Sequence, residues 1–190
     1  MPTARQSKRT AKTSKTRKST PLDRATTAVG RTAGSLARAV SARVMPARPH
    51  DALKLLEKDH RRFERLLKEG EKTTERASKR RREILRTLAT EIVAHEHKEE
   101  KVLYPTLKRH PEARDIVLEG YQEHHVADVL VAELKNLDPS DERWGAKFKV
   151  LKESLEHHIE EEEGDMFKKA RRALGRDRLD EMGRKMEKVR

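Results

Sequence analysis

The chain has 190 residues, of which 41% are charged and only 3% aromatic, a composition typical of long helices around one modest core. It has no cysteine, which excludes disulfides, thiolate metal sites and iron–sulfur clusters. Any bound metal must therefore be held by histidine and carboxylate side chains.

The basic charge is concentrated at the N-terminus. Residues 1–50 hold 12 lysines and arginines against a single acid and carry +11 of the net charge of +12. Residues 1–21 have almost nothing to bury and are predicted to be disordered, whereas apolar residues at helical spacing over 22–45 indicate a short helix. We expect this tail to bind nucleic acid or another polyanion without sequence preference, because it lacks aromatic residues for base stacking. A solubilising extension is the alternative.

The sequence also bears on location. No apolar run is long enough to cross a membrane, and the N-terminus lacks the apolar stretch of a secretory signal. These features predict a cytoplasmic protein without membrane contact, with association with the nucleoid as an alternative. The acid-poor N-terminus also fits an organellar transit peptide.

From Asp51 onward, apolar residues recur at steps of three and four, which predicts an all-α, antiparallel four-helix up-down bundle. The predicted helices span about 51–69, 75–109, 111–136 and 141–174, with a short extra C-terminal helix at 177–189. Gly70 and Gly175 are predicted to end the first and fourth helices, and Pro105 to kink the second. The predicted domain limits are 1–50 for the tail, 51–174 for the bundle and 175–190 for the C-terminal helix.

Each long helix carries one histidine in its apolar row, and the second and fourth helices add a glutamate one turn later. These residues are His60, His95, Glu99, His124, His158 and Glu162. A single core histidine is most often a hydrogen-bonded structural residue. Four of them at mid-length, together with two carboxylates that would repel each other, favour a pair of bound metal ions at one level of the bundle.

The second and fourth helices repeat one another. The pattern His-x3-Glu-Glu occurs at His95 and again at His158, so two equivalent faces can lie opposite each other and each glutamate can bridge two metals. The repeat selects His158 over its neighbour His157. The apolar row of the third helix selects His124 over His125 in the same way.

Four segments resemble the signature helices of hemerythrin-like, or HHE cation-binding, domains over about 51–170. They are LLEKDHRRFERLL, HEHKEEKVLYP, EHHVADVLVAEL and HHIEEEEGDMF. The resemblance implies two non-haem iron ions, no haem, and the six residues above as ligands, with Glu99 and Glu162 bridging. Glu96 is a lesser ligand candidate, because some relatives use the residue after the helix-two histidine.

The chain also departs from the oxygen-carrying hemerythrins, which supply five histidines, two of them one turn apart on the third helix. Gly120 stands where that extra histidine would fall, so the site has fewer nitrogen ligands and more carboxylate. The resemblance therefore implies sensing or handling of oxygen, nitric oxide, reactive oxygen species or iron. Alternatives are a di-iron enzyme acting on peroxide or oxygen, and a nucleic-acid-associated protein whose bundle is a scaffold.

Two further interpretations concern another class of di-iron protein and the role of Tyr104. Ferritin-like di-iron proteins require Glu-x-x-His on two helices, and here only Glu57 and His60 have that spacing. Tyr104 is interpreted as a packing residue, with a hydrogen bond near the site as the alternative. No acid or base beyond the ligands is visible, so the sequence leaves open whether the protein is an enzyme.

Overall fold

The computed structural model describes residues 50–189, in which all regular structure is helical. The helices are α1 (Ala52–Glu71), α2 (Ser78–Lys98), α3 (Tyr104–Leu107), α4 (Arg114–Asn136), α5 (Glu142–Glu161) and α6 (Phe167–Met186). The prediction of an all-α helical bundle is thus confirmed, while the up-down order and the separate C-terminal helix stay predictions. Apart from His50, the predicted tail and its helix at 22–45 lie outside the described residues. No helix in the described part of the chain is long and apolar enough to span a bilayer.

Aspartate caps start two of the five long helices in the described part of the chain. The Asp51 carboxylate accepts a hydrogen bond from the backbone N–H of Leu53 at 3.0 Å, and Asp141 accepts one from Arg143 at 2.8 Å. The helix α1 ends at Glu71, one residue beyond Gly70, the predicted helix end. A Cβ at Gly70 would lie 2.2 Å from Cζ of Phe148, so this glycine also allows close packing.

Two π-helical segments interrupt the predicted second and fourth helices. The first, Glu99–Leu103, follows α2, and the second, Glu162–Met166, follows α5. The Tyr104 N–H donates to Glu99 O and the Phe167 N–H to Glu162 O, which are bonds of π-helical spacing. The irregularity on the second helix therefore begins at Glu99 and not at the predicted kink, Pro105, which occupies the first turn of α3, where proline is tolerated.

The backbone of α6 is interrupted at Gly175, where φ is 68° and ψ is 173°. This conformation lies in the positive-φ region that glycine adopts without steric strain. The interruption coincides with the position at which the sequence predicts a helix end.

The core consists of two apolar clusters with a polar layer between them. On α1, for example, His60 lies between Leu56 of one cluster and Phe63 of the other, and the other three predicted histidines occupy the same intermediate position on α2, α4 and α5. Because α1 packs on α2 and α5, and α4 packs on α5 and α2, these four positions face a common interior.

A buried arginine joins two connecting segments at one end of the bundle. Arg81 donates hydrogen bonds to the backbone oxygens of Pro139, at 2.7 Å, and Thr73, at 3.1 Å, and also to the Thr73 hydroxyl. Its guanidinium lies 4.6 Å from the ring centre of Trp144. Every one of these partners is a neutral group.

Candidate metal centre

The structure brings all six predicted ligands together in the polar layer, where none is more than 4% exposed. They form two groups of converging donor atoms, and the atoms of each group lie within 4.8 Å of one another. The groups are His60, His95, Glu99 and Glu162, and Glu99, His124 and His158. We call these six residues the buried centre.

Each glutamate of the buried centre reaches histidines from both groups. Glu99 Oε2 lies 3.2 Å from His95 Nε2 and 3.3 Å from His124 Nε2. Glu162 Oε2 lies 3.3 Å from His60 Nε2 and 3.7 Å from His158 Nε2. Each carboxylate therefore lies between the two groups of donor atoms.

Several donor atoms in the buried centre have no hydrogen-bond partner within the chain. Both oxygens of Glu99, Oε2 of Glu162 and Nε2 of His158 are buried and make no hydrogen bond. Buried polar atoms are normally hydrogen-bonded. Metal–ligand bonds of about 2.0–2.2 Å place two ligands of one ion roughly 3.0–3.6 Å apart, close to the separations observed here. The donor set therefore fits divalent cations.

All four imidazoles turn Nε2 inward and Nδ1 outward, towards a carboxylate on a neighbouring helix. The four outward pairs are His60–Glu163 at 2.8 Å, His124–Glu100 at 2.9 Å, His158–Glu123 at 2.7 Å and His95–Asp59 at 3.7 Å. At His60, His124 and His158 the carboxylate is within hydrogen-bond distance of Nδ1 and favours the Nδ1–H tautomer, which leaves the Nε2 lone pair free for a metal. His95 Nδ1 makes no hydrogen bond.

The four outer carboxylates form a closed ring, which we call the carboxylate ring. Asp59 on α1 faces the histidine of α2, and Glu100, which follows α2, faces that of α4. Glu123 on α4 faces the histidine of α5, and Glu163, which follows α5, returns to α1. Sequence reasoning missed this ring. The signal was an acid directly beside a predicted ligand on every helix.

The π segments allow consecutive glutamates to contact one imidazole from two sides. Glu99 approaches His124 at Nε2, and Glu100 accepts from its Nδ1–H. Glu162 and Glu163 contact Nε2 and Nδ1 of His60 in the same way. The wider turn thus supplies an inner and an outer carboxylate from adjacent positions.

Comparison with known proteins identifies the family of the chain. The family model for the Hemerythrin HHE cation binding domain matches residues 51–170. The chain belongs to this family. A crystal structure of a hemerythrin HHE cation binding domain-containing protein from Mycobacterium kansasii has the same fold, with a TM-score of 0.64 and 23% identity over 73% of this chain and 83% of that chain. A comparison with curated proteins gave no match.

Protons compete with metal for the donor atoms of this HHE domain. Burial disfavours the charged form, yet the Glu99 carboxylate raises the pKa of His95 to about 10 and that of His124 to about 9. Burial likewise opposes ionisation of Glu99, but the two imidazoles hold its pKa well below the usual value. Metal binding must displace protons from these histidines.

Tyr104 makes the two halves of the HHE domain unequal. Its fully buried hydroxyl donates to Glu162 Oε1 at 2.9 Å, and its ring stacks on His124 at a centroid distance of 5.5 Å. A Cβ at Gly120 would lie 2.6 Å from this hydroxyl, so the glycine makes room for the phenol. In the other half, Phe167 stacks on His60 without a hydroxyl. Tyr104 thus packs and also donates a hydrogen bond to a predicted ligand.

The lesser candidate Glu96 is buried, with 8% exposure, but belongs to neither group of converging donor atoms. Burial raises its pKa to about 7. The histidines excluded by the apolar rows, His125 and His157, are exposed as predicted.

Proposed function

We propose that this HHE domain holds a non-haem di-iron centre and senses or handles oxygen, nitric oxide, reactive oxygen species or iron. The observation that carries the proposal is that two groups of buried donor atoms share Glu99, while Glu162 lies within reach of a histidine of each group. Six donors in two overlapping groups exceed what one tetrahedral ion takes.

The charges around the buried centre also favour two divalent cations. Six carboxylates belong to the centre and the carboxylate ring, and two of them have a basic partner, Lys98 for Asp59 and Arg61 for Glu163. With neutral imidazoles, the remaining negative charge equals the charge of two divalent ions. Such neutralisation stabilises the buried carboxylates of Glu99 and Glu162 most, and the partly exposed carboxylates of the ring less.

When bound, iron supplies one-electron chemistry and a position for a diatomic ligand or peroxide. The chain's own residues orient the donors and exclude water, because apolar clusters cover the polar layer on both sides. Four histidines in place of five support sensing or iron handling over reversible oxygen carriage.

Metal analysis of the full chain tests the proposal directly. Protein purified from iron-supplied cells should contain about two iron ions per chain and show the absorption of a non-haem iron centre. The variant His124→Ala should lose metal, whereas its exposed neighbour His125→Ala should retain it. One zinc ion per chain, or full metal content in His124→Ala, would overturn the di-iron proposal.

A di-iron enzyme is the second candidate, and the Tyr104 hydroxyl is the observation that favours it. This group is a hydrogen-bond donor directed at Glu162 beside the buried centre. Peroxide consumption by the iron-loaded protein should be measured for the wild type and for Tyr104→Phe. Multiple turnovers that fall in the variant would support the enzyme, and the absence of turnover would leave the sensing role.

We also propose that residues 1–50 bind nucleic acid or another polyanion in the cytoplasm. The support is the charge distribution, since residues 51–190 carry only +1 of the net charge. Binding through about six phosphates should weaken roughly 1,000-fold between 50 and 200 mM salt. A full-length variant with the tail lysines and arginines replaced by glutamine should bind a labelled duplex poorly. Equal, salt-insensitive binding by both proteins would exclude the tail as the binding element.

A further inference from the structure

A second group of metal-ligating side chains lies at the surface between α4 and α5. It consists of Glu123, His157 and Glu161, which we call the surface triad. His157 Nε2 lies 3.8 Å from Glu123 Oε1 and 3.5 Å from Glu161 Oε1. These separations are too long for hydrogen bonds, but they are near those of two ligands on one cation with bonds of about 2.0–2.2 Å.

The surface triad is connected to the buried centre through one carboxylate. Glu123 Oε1 faces His157, and Glu123 Oε2 accepts a hydrogen bond from His158 Nδ1 at 2.7 Å. The His157 side chain is 63% exposed, that of Glu161 31% and that of Glu123 17%. Accessibility thus decreases stepwise from solvent towards the buried histidine.

The internal repeat provides a matched comparison for the surface triad. Glu123 and Asp59 are equivalent, because each precedes the histidine of its own helix and faces the histidine of the next. In the alignment of His95 with His158, Lys98 corresponds to Glu161.

The two equivalent positions differ in charge. The ammonium of Lys98 lies 2.5 Å from Asp59, so a cation already neutralises that carboxylate. Beside Glu123, the corresponding position holds the carboxylate of Glu161, and His157 replaces Ala94. The half of the bundle with Asp59 therefore has a cationic side chain, Lys98, beside the carboxylate. The half with Glu123 has metal-ligating side chains at the equivalent positions.

We propose that the surface triad is a weak, solvent-accessible site for a divalent transition-metal cation, from which the buried centre is loaded. One imidazole nitrogen and two carboxylate oxygens suit iron, cobalt or zinc in the divalent state, with water completing the coordination. The loading role rests on the proposed function, whereas the binding of an ion at the surface does not.

Titration with Co²⁺ tests the surface site. Full-length protein with a filled buried centre should bind one additional, weakly held Co²⁺ per chain. Glu161→Lys, which imitates Lys98, and His157→Ala should lose this ion, while His125→Ala, an exposed histidine outside the triad, should retain it. An unchanged weak ion in Glu161→Lys would overturn the site.

Filling kinetics test the loading role. Metal-free full-length protein should take up Fe²⁺ about tenfold more slowly in Glu161→Lys, because local carboxylates raise the concentration of cations at the surface. Uptake should also be slower in His157→Ala, because the surface triad then lacks its imidazole ligand. The final metal content should equal that of the wild type. Equal filling rates, or a lower final content, would overturn the loading role.

The reciprocal change provides a gain-of-function test. Lys98→Glu combined with Ala94→His should create a second surface triad beside Asp59 and add a second weak Co²⁺. No added ion would contradict the comparison of the two halves. Absence of a tightly bound metal pair in the wild type would instead refute the proposed function, since the weak ions are counted separately.

Discussion

Two buried charged side chains in the region of α2 differ in their hydrogen bonding. Arg81 has hydrogen bonds to backbone oxygens and a hydroxyl and lies over an aromatic ring. Glu99 is fully buried with neither oxygen hydrogen-bonded. The first group is satisfied by the protein alone, and the second is arranged for a partner outside the chain. Perturbing each group with and without metal should therefore give different results.

The largest effect is expected for Glu99→Gln. The substitution keeps the volume but removes the negative charge shared by both donor groups, so tight binding of both metals should be lost. This loss should exceed the roughly 10- to 100-fold weakening typical of residues that only orient ligands. Metal content after dialysis is the measurement. Glu96→Gln, a buried neighbour outside both groups, is the control, and equal losses in the two variants would place Glu96 among the ligands.

Arg81→Ala should destabilise the fold by about 3 kcal/mol, because it leaves the buried carbonyl of Pro139 and the partly buried carbonyl of Thr73 without a donor. The loss should be the same with and without metal. Urea denaturation of both forms measures it. Arg82→Ala removes an exposed guanidinium and should stay within about 0.5 kcal/mol of the wild type. A destabilisation by Arg81→Ala that depends on metal would contradict the difference proposed between Arg81 and Glu99.

A third effect should appear in the wild type as pH changes. The folded-state pKa values of His95, about 10, and His124, about 9, lie above the unfolded value of 6.5. Their contribution to stability is therefore complete below about pH 6.5 and lost as pH rises towards 9–10. Metal-loaded protein should lack this alkaline loss, because its bound imidazoles are already neutral. The free energy of unfolding should be measured between pH 6.5 and 10 with and without chelator. The same pH dependence in both conditions would contradict metal binding by these histidines.

The smallest effect is expected in the carboxylate ring. Glu163→Gln should weaken metal binding by about tenfold, because it replaces a charged acceptor 2.8 Å from His60 Nδ1. Asp59→Asn should have less effect, since Asp59 lies 3.7 Å from His95 Nδ1. Competition with a coloured chelator measures both affinities. The opposite ranking would show that distance in this ring does not determine its influence on the metal.

Apolar periodicity was sufficient to identify the buried histidines and glutamates, because burial along a helix repeats with each turn. His124 and His158 could thus be separated from His125 and His157. The same reasoning could not find the carboxylate ring, since which acid meets which imidazole depends on the rotation and spacing of neighbouring helices. That information is absent from the pattern of any single helix.

The backbone irregularities were predicted less well. Pro105 predicts a kink in the second helix, but the π segment starts at Glu99, where neither proline nor glycine indicates a change of backbone. Gly70 was interpreted from local rules as a helix stop, but it also leaves space for Phe148 on α5. The space that Gly70 leaves for Phe148 is a tertiary contact, which the sequence of α1 alone cannot indicate.

The contact between Gly120 and Tyr104 also constrains how related sequences can vary. A side chain at position 120 would occupy the space of the phenol oxygen, so the residue on α4 cannot grow unless the aromatic residue on α3 becomes shorter or moves. Chains with a larger residue at position 120 should therefore lack tyrosine at position 104. These two positions should change together during evolution. An alignment in which they vary independently would show that a side chain at position 120 can be accommodated beside tyrosine at position 104.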